Sequence, residues 1–554
     1  MVKSEPEDDA PNSVFGGTIS KAKHRLVVAI DFGTTFSGIA FTFPNKSPKI
    51  HTIQVWPGGI RDPKIATLIS YNKNNAEDFI WGSQKHDNIV QGVKLLLDPD
   101  QPRPQYLPPS TANSDLKLLG KPAVDAAADF IGALYKHAAS EMRSKVQEYY
   151  DVCDEEFVLT IPAVWSDKAK NQTLKAAAKA GLGPLTLIKE PEAAALYTVE
   201  TMKDSKLEVG DAFVICDAGG GTVDLISYEV IRFDPKLEMK ELVPGQGSMA
   251  GSLGLNMRFE EAVKQVLGDR QYSRIRNEYS FERAMQEFDQ RIKRVFKGDP
   301  NENYYVEFPD AKLVNDSAKN LEDDFWQMKA YILLPLFLLH QFDIANYSSD
   351  IKSIFNPLID DILGLVQNQV DEVGFKRLAE EKRGTQVKAI FLVGGFGANR
   401  YLKNQLELAH PTISIIKPPD AWTAIVKGAV MSQLQHTPSI VSRQATGHYG
   451  VKCSQLFNPI RDLGQTTYID PFSGEKLAPT ICWYISRGQD LKTDHAIKIP
   501  FHRHLEEGCS DRSLILTSVL IQSPDVLRPK YPSAPDNIKY SMVTDLSTVD
   551  RDQF

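Results

Sequence analysis

Cysteine is scarce in this sequence. Its 554 residues include five cysteines, and none of them stands in a CxxC or zinc-ligand spacing. So sparse and odd-numbered a set argues against a disulfide framework and favours the reduced thiols of a cytoplasmic protein. Long hydrophobic runs are also missing. The strongest, YILLPLFLLH at 331–340, contains Pro335 and is about half of the roughly 20 residues that a membrane span needs, so it predicts a buried helix and no membrane partner.

An excess of positive charge is absent too. Lysine and arginine total 63 against 71 aspartates and glutamates, which gives a net charge of −8. This balance provides no general attraction to nucleic acid, so no nucleic-acid partner is expected. The hydrophobic content of 42% is that of a globular chain, and the length predicts about three or four core-sized units. Residues 1–23 are polar, lack the apolar segment of a signal peptide and are predicted to be a disordered tail.

What the sequence does contain is a run of three glycines between two strand-like segments, VICDAGGGTVDLISYEV at 214–230. A hairpin needs at most one or two residues with positive φ. Three glycines together therefore indicate that another group approaches the backbone more closely than a Cβ atom would allow. Asp217 and Asp224 stand on either side of the turn, so this group is expected to carry or accompany a cation.

A second segment has the same form. VVAIDFGTTFSGIAFTF at 27–43 gives an apolar strand, Asp31, a Gly/Thr turn and another apolar strand, 186 positions before the equivalent Asp217. Such turns expose successive N–H groups that bind phosphate, and threonine hydroxyls add donors. Two strand-ending carboxylates beside a phosphate need a cation between them, and Mg²⁺ requires few direct protein ligands. The alternative is two ordinary Gly-rich hairpins with capping aspartates.

A third segment, AIFLVGGFGANRYLKNQL at 389–406, predicts a buried strand, Gly394-Gly395 and a helix. Backbone at such a turn can lie against a ribose or phosphate near the N-terminus of the helix. The sequence contains no GxxxxGK[ST] motif, which excludes a P-loop. It also has no GxGxxG between a strand and a helix, which argues against a dinucleotide-binding fold.

The chain contains five motifs that occur in this order: IDFGTT, IPAVWSD, EPEAAAL, DAGGGTVD and VGGFGANRYL. On these motifs, the chain resembles the ATPase domain of the seventy-kilodalton heat-shock (DnaK-like) family, within the actin/hexokinase-like ATPase superfamily. The GGFG form of the last motif resembles that of a divergent branch of this family. The resemblance covers about residues 24–436 and implies an α/β fold in which two lobes flank a deep nucleotide cleft, with ATP or ADP and Mg²⁺ as cofactors. Residues 437–450 stand where the family has its linker. The short alternating runs of 451–554 predict a small β-rich domain.

Roles are carried over from the resemblance position by position. Asp31 and Asp217 match the carboxylates that hold magnesium through its waters, Lys94 matches the lysine beside the γ-phosphate, and Glu190 matches the residue that orders the attacking water. The catalytic set is Lys94, Glu190, Asp217 and Thr222. The nucleotide-binding set is Gly33, Thr34, Thr35, Phe36, Gly219, Gly220, Gly221, Gly251, Lys293, Arg294, Gly394 and Gly395. Three positions depart from the family pattern: Phe36 for tyrosine, Gln290 for glutamate and Ala398 for arginine.

Three classes of function remain. The leading one is an ATP-binding, slowly ATP-hydrolysing, chaperone-related protein of this heat-shock type. The second is an ATP-binding scaffold or sensor without turnover. The third is a metabolite kinase of the same superfamily, for which Asp224 is the candidate general base. The expected partners are the nucleotide and, as further candidates, unfolded or extended polypeptides or co-chaperones in the cytoplasm.

Overall fold

The computed structural model describes most of the chain between residues 24 and 545. The tail 1–23 and the apolar run 331–340 lie outside the described residues. The described ranges are 24–44, 48–72, 75–83, 89–99, 101–107, 116–117, 120–202, 207–299, 301–329, 350–381, 386–434, 439–492, 495, 497, 515–525, 527–532 and 538–545.

The first hairpin lies inside a six-stranded sheet, called here the N-terminal sheet. Its two strands are antiparallel, with Asp31 opposite Gly38, and the first of them also pairs in parallel with a strand that ends in IPAVW. Strands of this kind are buried on both faces, which explains their nearly continuous apolar sequence. The strands are, in spatial order, Leu185–Lys189, Cys153–Ile161, His24–Asp31, Phe36–Thr42 and His51–Thr52, with Ile65–Ala66 paired to Phe36–Thr42.

The second hairpin lies inside a seven-stranded sheet, called here the central sheet, with the same local arrangement. Asp217 pairs opposite Asp224 across the hairpin, and it also pairs in parallel with Val393 on the strand of the third segment. The strands are, in order, Ser414–Ile416, Val387–Val393, Ala212–Ala218, Val223–Arg232, Glu238–Ser248, Ser439–Gln444 and Asp490–Lys492. The two similar sequence segments thus occupy equivalent positions in two sheets.

Two helices connect these sheets through one hydrophobic core. Helix Glu190–Thr201 and helix Ala424–Met431 pack together between apolar residues of both sheets, such as Val27 and Phe213. The first helix begins with Pro191 in its first turn, as the sequence predicts. Another predicted helix start is confirmed where Ser166 accepts a hydrogen bond from the Ala169 N–H.

Among the remaining helices, Ala123–Tyr150 packs against Asp167–Lys179, and Asp350–Ala379 packs on the central sheet. The amphipathic pattern at 121–146 corresponds to a helix at Ala123–Tyr150. The other α-helices are Asp167–Lys179, Leu253–Ile275, Tyr279–Glu287, Lys293–Val295, Asp350–Ala379 and Arg400–Ala409; shorter 3₁₀ turns are Pro57–Gly59, Val93–Leu97, Ser317–Lys319 and Phe396–Ala398, and Phe288–Ile292 is a π-turn. Within the described ranges, no helix has the length and apolarity needed to cross a lipid bilayer.

Four smaller sheets complete the described structure. The largest, the C-terminal sheet, has five strands: Tyr468–Ile469, Lys476–Ile485, His448–Leu456, Ile515–Ser523 and Ile538–Asp545. The others combine Asn303–Glu307, Phe325–Lys329 and Leu321–Glu322; Asn75–Trp81, Leu68–Asn72 and Ile89–Gln91; and Val55–Trp56 with Ile60–Arg61. Of the segment expected to be a linker, 437–450, residues 439–444 form a strand inside the central sheet.

Candidate functional site

The Gly/Thr turn of each hairpin lies directly against the turn of the other. A Cβ atom on Gly221 would lie 2.3 Å from Thr34 Oγ1, and one on Gly220 would lie 2.1 Å from Thr35 Oγ1. Only glycine fits these positions, because real Cβ atoms essentially never come within 3.0 Å of another group. The sequence analysis attributed the glycines to close approach by a phosphate. In the structure the close neighbours are the two threonines of the opposite turn.

The contacting turns form part of the wall of a cavity of about 470 Å³. This cavity brings together the predicted catalytic, nucleotide and metal residues, with one exception. Gly251 packs behind the second turn, where its N–H donates to the Gly221 carbonyl at 3.2 Å, and the adjacent Ser252 faces the cavity instead. The predicted residues that line it are Asp31, Gly33, Thr34, Thr35, Phe36, Lys94, Glu190, Asp217, Gly219, Gly220, Gly221, Thr222, Lys293, Arg294, Gly394 and Gly395.

Acidic side chains dominate the closed end of this cavity. Asp31, Glu190 and Asp217 line it, Asp224 lies just behind, and all four are at least nine-tenths buried. Two equally buried lysines, Lys64 and Lys94, accompany them. Lys94 forms an ion pair with Glu190, and its ammonium lies 5.5 Å from the centroid of the Trp165 ring. Four carboxyl groups against two ammonium groups leave two negative charges uncompensated if all are ionised.

The pKa values of the carboxyl groups reflect this imbalance. Burial raises the pKa of Glu190 to about 7, and the ammonium of Lys94 opposes the rise. Burial, reinforced by the charges of Glu190, Asp224 and Asp31, raises the pKa of Asp217 well above its ordinary value. Burial also raises the pKa of Asp224. Low dielectric surroundings penalise each added negative charge, so an entering cation would be strongly favoured.

A divalent cation fits one side of this acidic cluster. Asp217 Oδ1 is buried and has no hydrogen-bond partner among the described residues, which is the condition of an oxygen available to a cation or its water. Asp31 differs, because its Oδ1 accepts from the Thr160 hydroxyl at 3.0 Å and its Oδ2 accepts from Lys64 at 2.6 Å. Clusters of three or more His, Cys, Asp or Glu arranged for a metal do not occur among the described residues. The donor set therefore suits Mg²⁺ that keeps most of its waters.

The third turn closes the cavity beside Asp217. Gly394 has φ of +79°, and a Cβ atom there would lie 2.4 Å from Asp217 Oδ1. Gly395 lies against the ring of Trp422, which also makes an edge contact with Phe36 at 5.3 Å between centroids. The indole N–H of Trp422 donates to Asp62 Oδ1 at 2.9 Å. Trp422 therefore connects the turn of the central sheet with residues of the N-terminal sheet.

The opposite end of the cavity contains a polar cluster around Lys293. Its ammonium pairs with Asp289 and donates to Asn256 Oδ1 at 2.9 Å, and the Asn256 amide donates to Asp289 at 2.9 Å. The acidic residue that reaches the cavity here is Asp289, one position before the Gln290 singled out in the sequence. Burial lowers the pKa of Lys293. The cluster offers both donors and acceptors to a ligand at this end.

Sequence reasoning missed several cavity residues that the fold brings in, among them Asp62, Lys64, Asp289 and Trp422. The signals for two of them are visible afterwards. Lys64 immediately precedes the short strand Ile65–Ala66, which pairs beside the first turn, and Trp422 interrupts the polar run KPPDAWT. Neither signal has a distinctive spacing from the glycine turns, so only the paired structure identifies them.

Comparisons with known proteins find similar sequences over most of the chain. A family model described as Hsp70 protein matches residues 128–238, and one described as a domain of unknown function (DUF8340) matches residues 207–399. Heat shock 70 kDa protein 12A of Homo sapiens is 25% identical over 528 residues, which cover 80% of this chain and 74% of that protein. Heat shock 70 kDa protein 12B of Homo sapiens is 24% identical over 527 residues, which cover 80% of this chain and 73% of that protein. A chaperone protein HscA homolog of Acinetobacter baumannii (strain AYE) is 24% identical over 277 residues, or 47% of this chain and 41% of that protein.

The mixed α/β fold and the paired turns are consistent with an actin-like ATPase fold, and the Hsp70 model matches part of the chain. At 24–25% identity over 80% of its length, the chain is similar to a divergent branch of the Hsp70 family.

Proposed function

We propose that this chain binds ATP and ADP with Mg²⁺ in the cavity that the two Gly/Thr turns line and hydrolyses ATP slowly. The observation that carries the proposal is the convergence of both turns and the Gly394 turn on one acidic cavity that contains buried lysines. The two sheets would form the two lobes of an actin-like ATPase domain, which we assign to residues 24–436. Phosphates would lie against the turns, and the base and ribose would lie toward Lys293 and Arg294.

Each catalytic residue has a role that its contacts support. In hydrolysis, water attacks the γ-phosphorus, the bond to the bridging oxygen of ADP breaks, and the water loses a proton. Glu190, whose pKa is about 7, is suited to orient that water and accept its proton. Lys94 would neutralise charge on the γ-phosphoryl oxygens, and the Thr222 hydroxyl, which is hydrogen-bonded to Asp224, would turn to donate to them.

Magnesium would be held through its waters chiefly on the side of Asp217, where a carboxylate oxygen is free of partners. When bound, the ion supplies charge neutralisation to the β- and γ-phosphates. Asp31 would contribute to the same hydration shell, as assigned from the resemblance.

A nucleotide-binding scaffold without turnover is the second candidate. The observation that favours it is the ion pair between Lys94 and Glu190, because both catalytic groups are engaged with each other. No comparable observation favours a metabolite kinase. Asp224, its candidate base, accepts a hydrogen bond from the Val164 N–H at 3.2 Å and does not line the cavity.

We further propose that the β-rich region after residue 450 takes extended polypeptides or co-chaperones as partners. Support comes from the similarity to Hsp70 proteins and from the chaperone named among the similar proteins. The sparse, reduced cysteines are compatible with a cytoplasmic location.

Calorimetric titration tests the nucleotide site. With Mg²⁺ present, ATP and ADP are expected to bind at micromolar affinity or tighter, about −8 kcal/mol. AMP lacks the phosphates that the two turns would contact, so it should bind at least about tenfold more weakly. An absence of both heat and thermal shift at millimolar ATP would refute the proposal.

A further inference from the structure

Lys64 is a buried charged residue of the cavity that has no role in the proposed ATP hydrolysis. The residue precedes strand Ile65–Ala66, which pairs with Phe36 and Ser37 at the end of the first turn. This pairing directs the lysine side chain to the site, where its ammonium donates to Asp31 Oδ2 at 2.6 Å. The residue is 6% exposed. Burying an ammonium ion is costly unless its partners are well arranged.

The surroundings of Lys64 hold it in one orientation. Its stem packs so closely beside Gly38 that a Cβ atom there would lie 3.0 Å from Lys64 Cγ. Its backbone N–H donates to Asp62 Oδ1 at 2.9 Å, and the same carboxylate accepts from the Trp422 indole. The ammonium lies 4.8 Å from the centroid of the Trp422 ring, a favourable cation–π distance. The position is therefore built from both sheets.

This arrangement makes the two metal-assigned carboxylates unequal. Both oxygens of Asp31 have protein partners, Lys64 and Thr160, whereas Asp217 Oδ1 has none among the described residues. Asp31 already has a cation beside it, and Asp217 does not. An ammonium group has three donors. Within the described part of the chain, that of Lys64 donates one hydrogen bond to a protein atom, which leaves donors for a ligand.

We propose that Lys64 is a phosphate-binding residue that acts as a fixed cation on the Asp31 side of the cavity, so that part of the nucleotide affinity is independent of Mg²⁺. The inference rests on the proposed function, because it presumes that the phosphates lie against the two turns. Lys64 contacts the ligand from the N-terminal sheet, and magnesium is needed mainly on the side of Asp217. Lys94 does not duplicate this role, since it is paired with Glu190.

Titration of ATP into the full chain, once with Mg²⁺ and once with EDTA, tests this role. In the wild-type protein ATP is expected still to bind in EDTA, with a Kd raised by no more than about a hundredfold. In Lys64→Met, the ratio of the Kd in EDTA to the Kd in Mg²⁺ should be at least about tenfold larger than in the wild type, because no cation then remains beside Asp31. Lys64→Arg keeps the charge, so its ratio of Kd values should be close to that of the wild type. Lys175→Met, at an exposed position of helix Asp167–Lys179, should match the wild type.

Two results would overturn the inference, and they are distinguishable. If the wild type binds ATP and Lys64→Met has the same ratio of Kd values in EDTA and Mg²⁺, Lys64 does not contact phosphate, although the nucleotide site stands. If the wild type binds no nucleotide, the proposed function fails and this inference fails with it. Should Lys64→Met not fold because Asp31 loses its partner, Lys64→Gln, which can still donate a hydrogen bond to Asp31, replaces it. That variant must show the same larger ratio of Kd values in EDTA and Mg²⁺.

Discussion

At the scale of single residues, the two catalytic candidates Lys94 and Glu190 neutralise each other. Lys94 belongs to the 3₁₀ turn Val93–Leu97, and Glu190 begins a helix that follows a strand of the N-terminal sheet. Their side chains meet in the cavity although 96 positions separate them. A bound γ-phosphate would compete with Glu190 for the ammonium group. Turnover is therefore expected to be slow, because the pair must separate before either group reaches the substrate.

Replacement of Lys94 by alanine tests this assignment. Lys94→Ala should lower kcat for ATP hydrolysis by at least about a hundredfold, because no cation then balances the charge that develops on the γ-phosphoryl group. Nucleotide affinity should change much less, because the turns remain. Phosphate release under single-turnover conditions measures the effect, with Lys175→Ala as the surface control. Wild-type hydrolysis by Lys94→Ala would mean that another cation serves the γ-phosphate.

At the scale of secondary structure elements, helices Glu190–Thr201 and Ala424–Met431 pack with their backbones in close contact. A Cβ atom on Gly428 would lie 1.7 Å from the Ala193 carbonyl oxygen. Because the obstructing atom belongs to a buried helix backbone, no side chain can move to relieve the clash. The helix that carries Glu190 is thus fixed by a glycine of a helix more than two hundred positions away in the chain.

Gly428→Ala is therefore expected to destabilise the protein by about 3 kcal/mol or more. The matched control is Gly364→Ala in helix Asp350–Ala379, where an added Cβ would meet nothing within 4 Å. That substitution should be neutral or stabilising by about 0.5–1 kcal/mol, since alanine has the higher helix propensity. Urea unfolding followed by circular dichroism compares the two. Equal urea midpoints for the two variants would contradict the argument that Gly428 packs against the Ala193 backbone.

At the scale of the whole molecule, the segment that follows the ATPase region is part of the central sheet. Strand Ser439–Gln444 lies between strands Glu238–Ser248 and Asp490–Lys492 and pairs with both. Arg443 also pairs with Glu192, two positions from Glu190. Asp490 lies 3.1 Å from the Lys376 ammonium. An interior strand of this kind cannot detach without breaking two sets of backbone hydrogen bonds.

We therefore expect nucleotide state to affect polypeptide binding only weakly. Coupling requires an element whose arrangement both ligands bias, and this strand has one well-fixed arrangement. The affinity for extended peptides should differ by less than about fivefold between ATP and ADP. Fluorescence anisotropy of labelled peptides with each nucleotide provides the measurement. A large loss of peptide affinity driven by ATP would instead indicate a working chaperone cycle.

The sequence by itself determined the three turns, the strands that flank them and the residues that line most of the cavity. These features are local: an apolar strand, the aspartate that ends it and the glycines that follow are adjacent in the chain. The cap at Ser166 and the helix start at Pro191 are local in the same sense. Short-range chemistry is sufficient for such features, because the residues that cooperate are within one or two turns of each other.

Only the tertiary structure decided which distant groups complete the site. Lys64 reaches Asp31, Trp422 reaches Phe36 and Asp62, and Thr34 and Thr35 reach the glycines of the opposite turn, all through strand register and sheet contacts. The expected linker became an interior strand for the same reason, since pairing with Glu238–Ser248 satisfies its backbone. Hydrogen bonds and charges between sheets depend on distances that no local sequence pattern encodes.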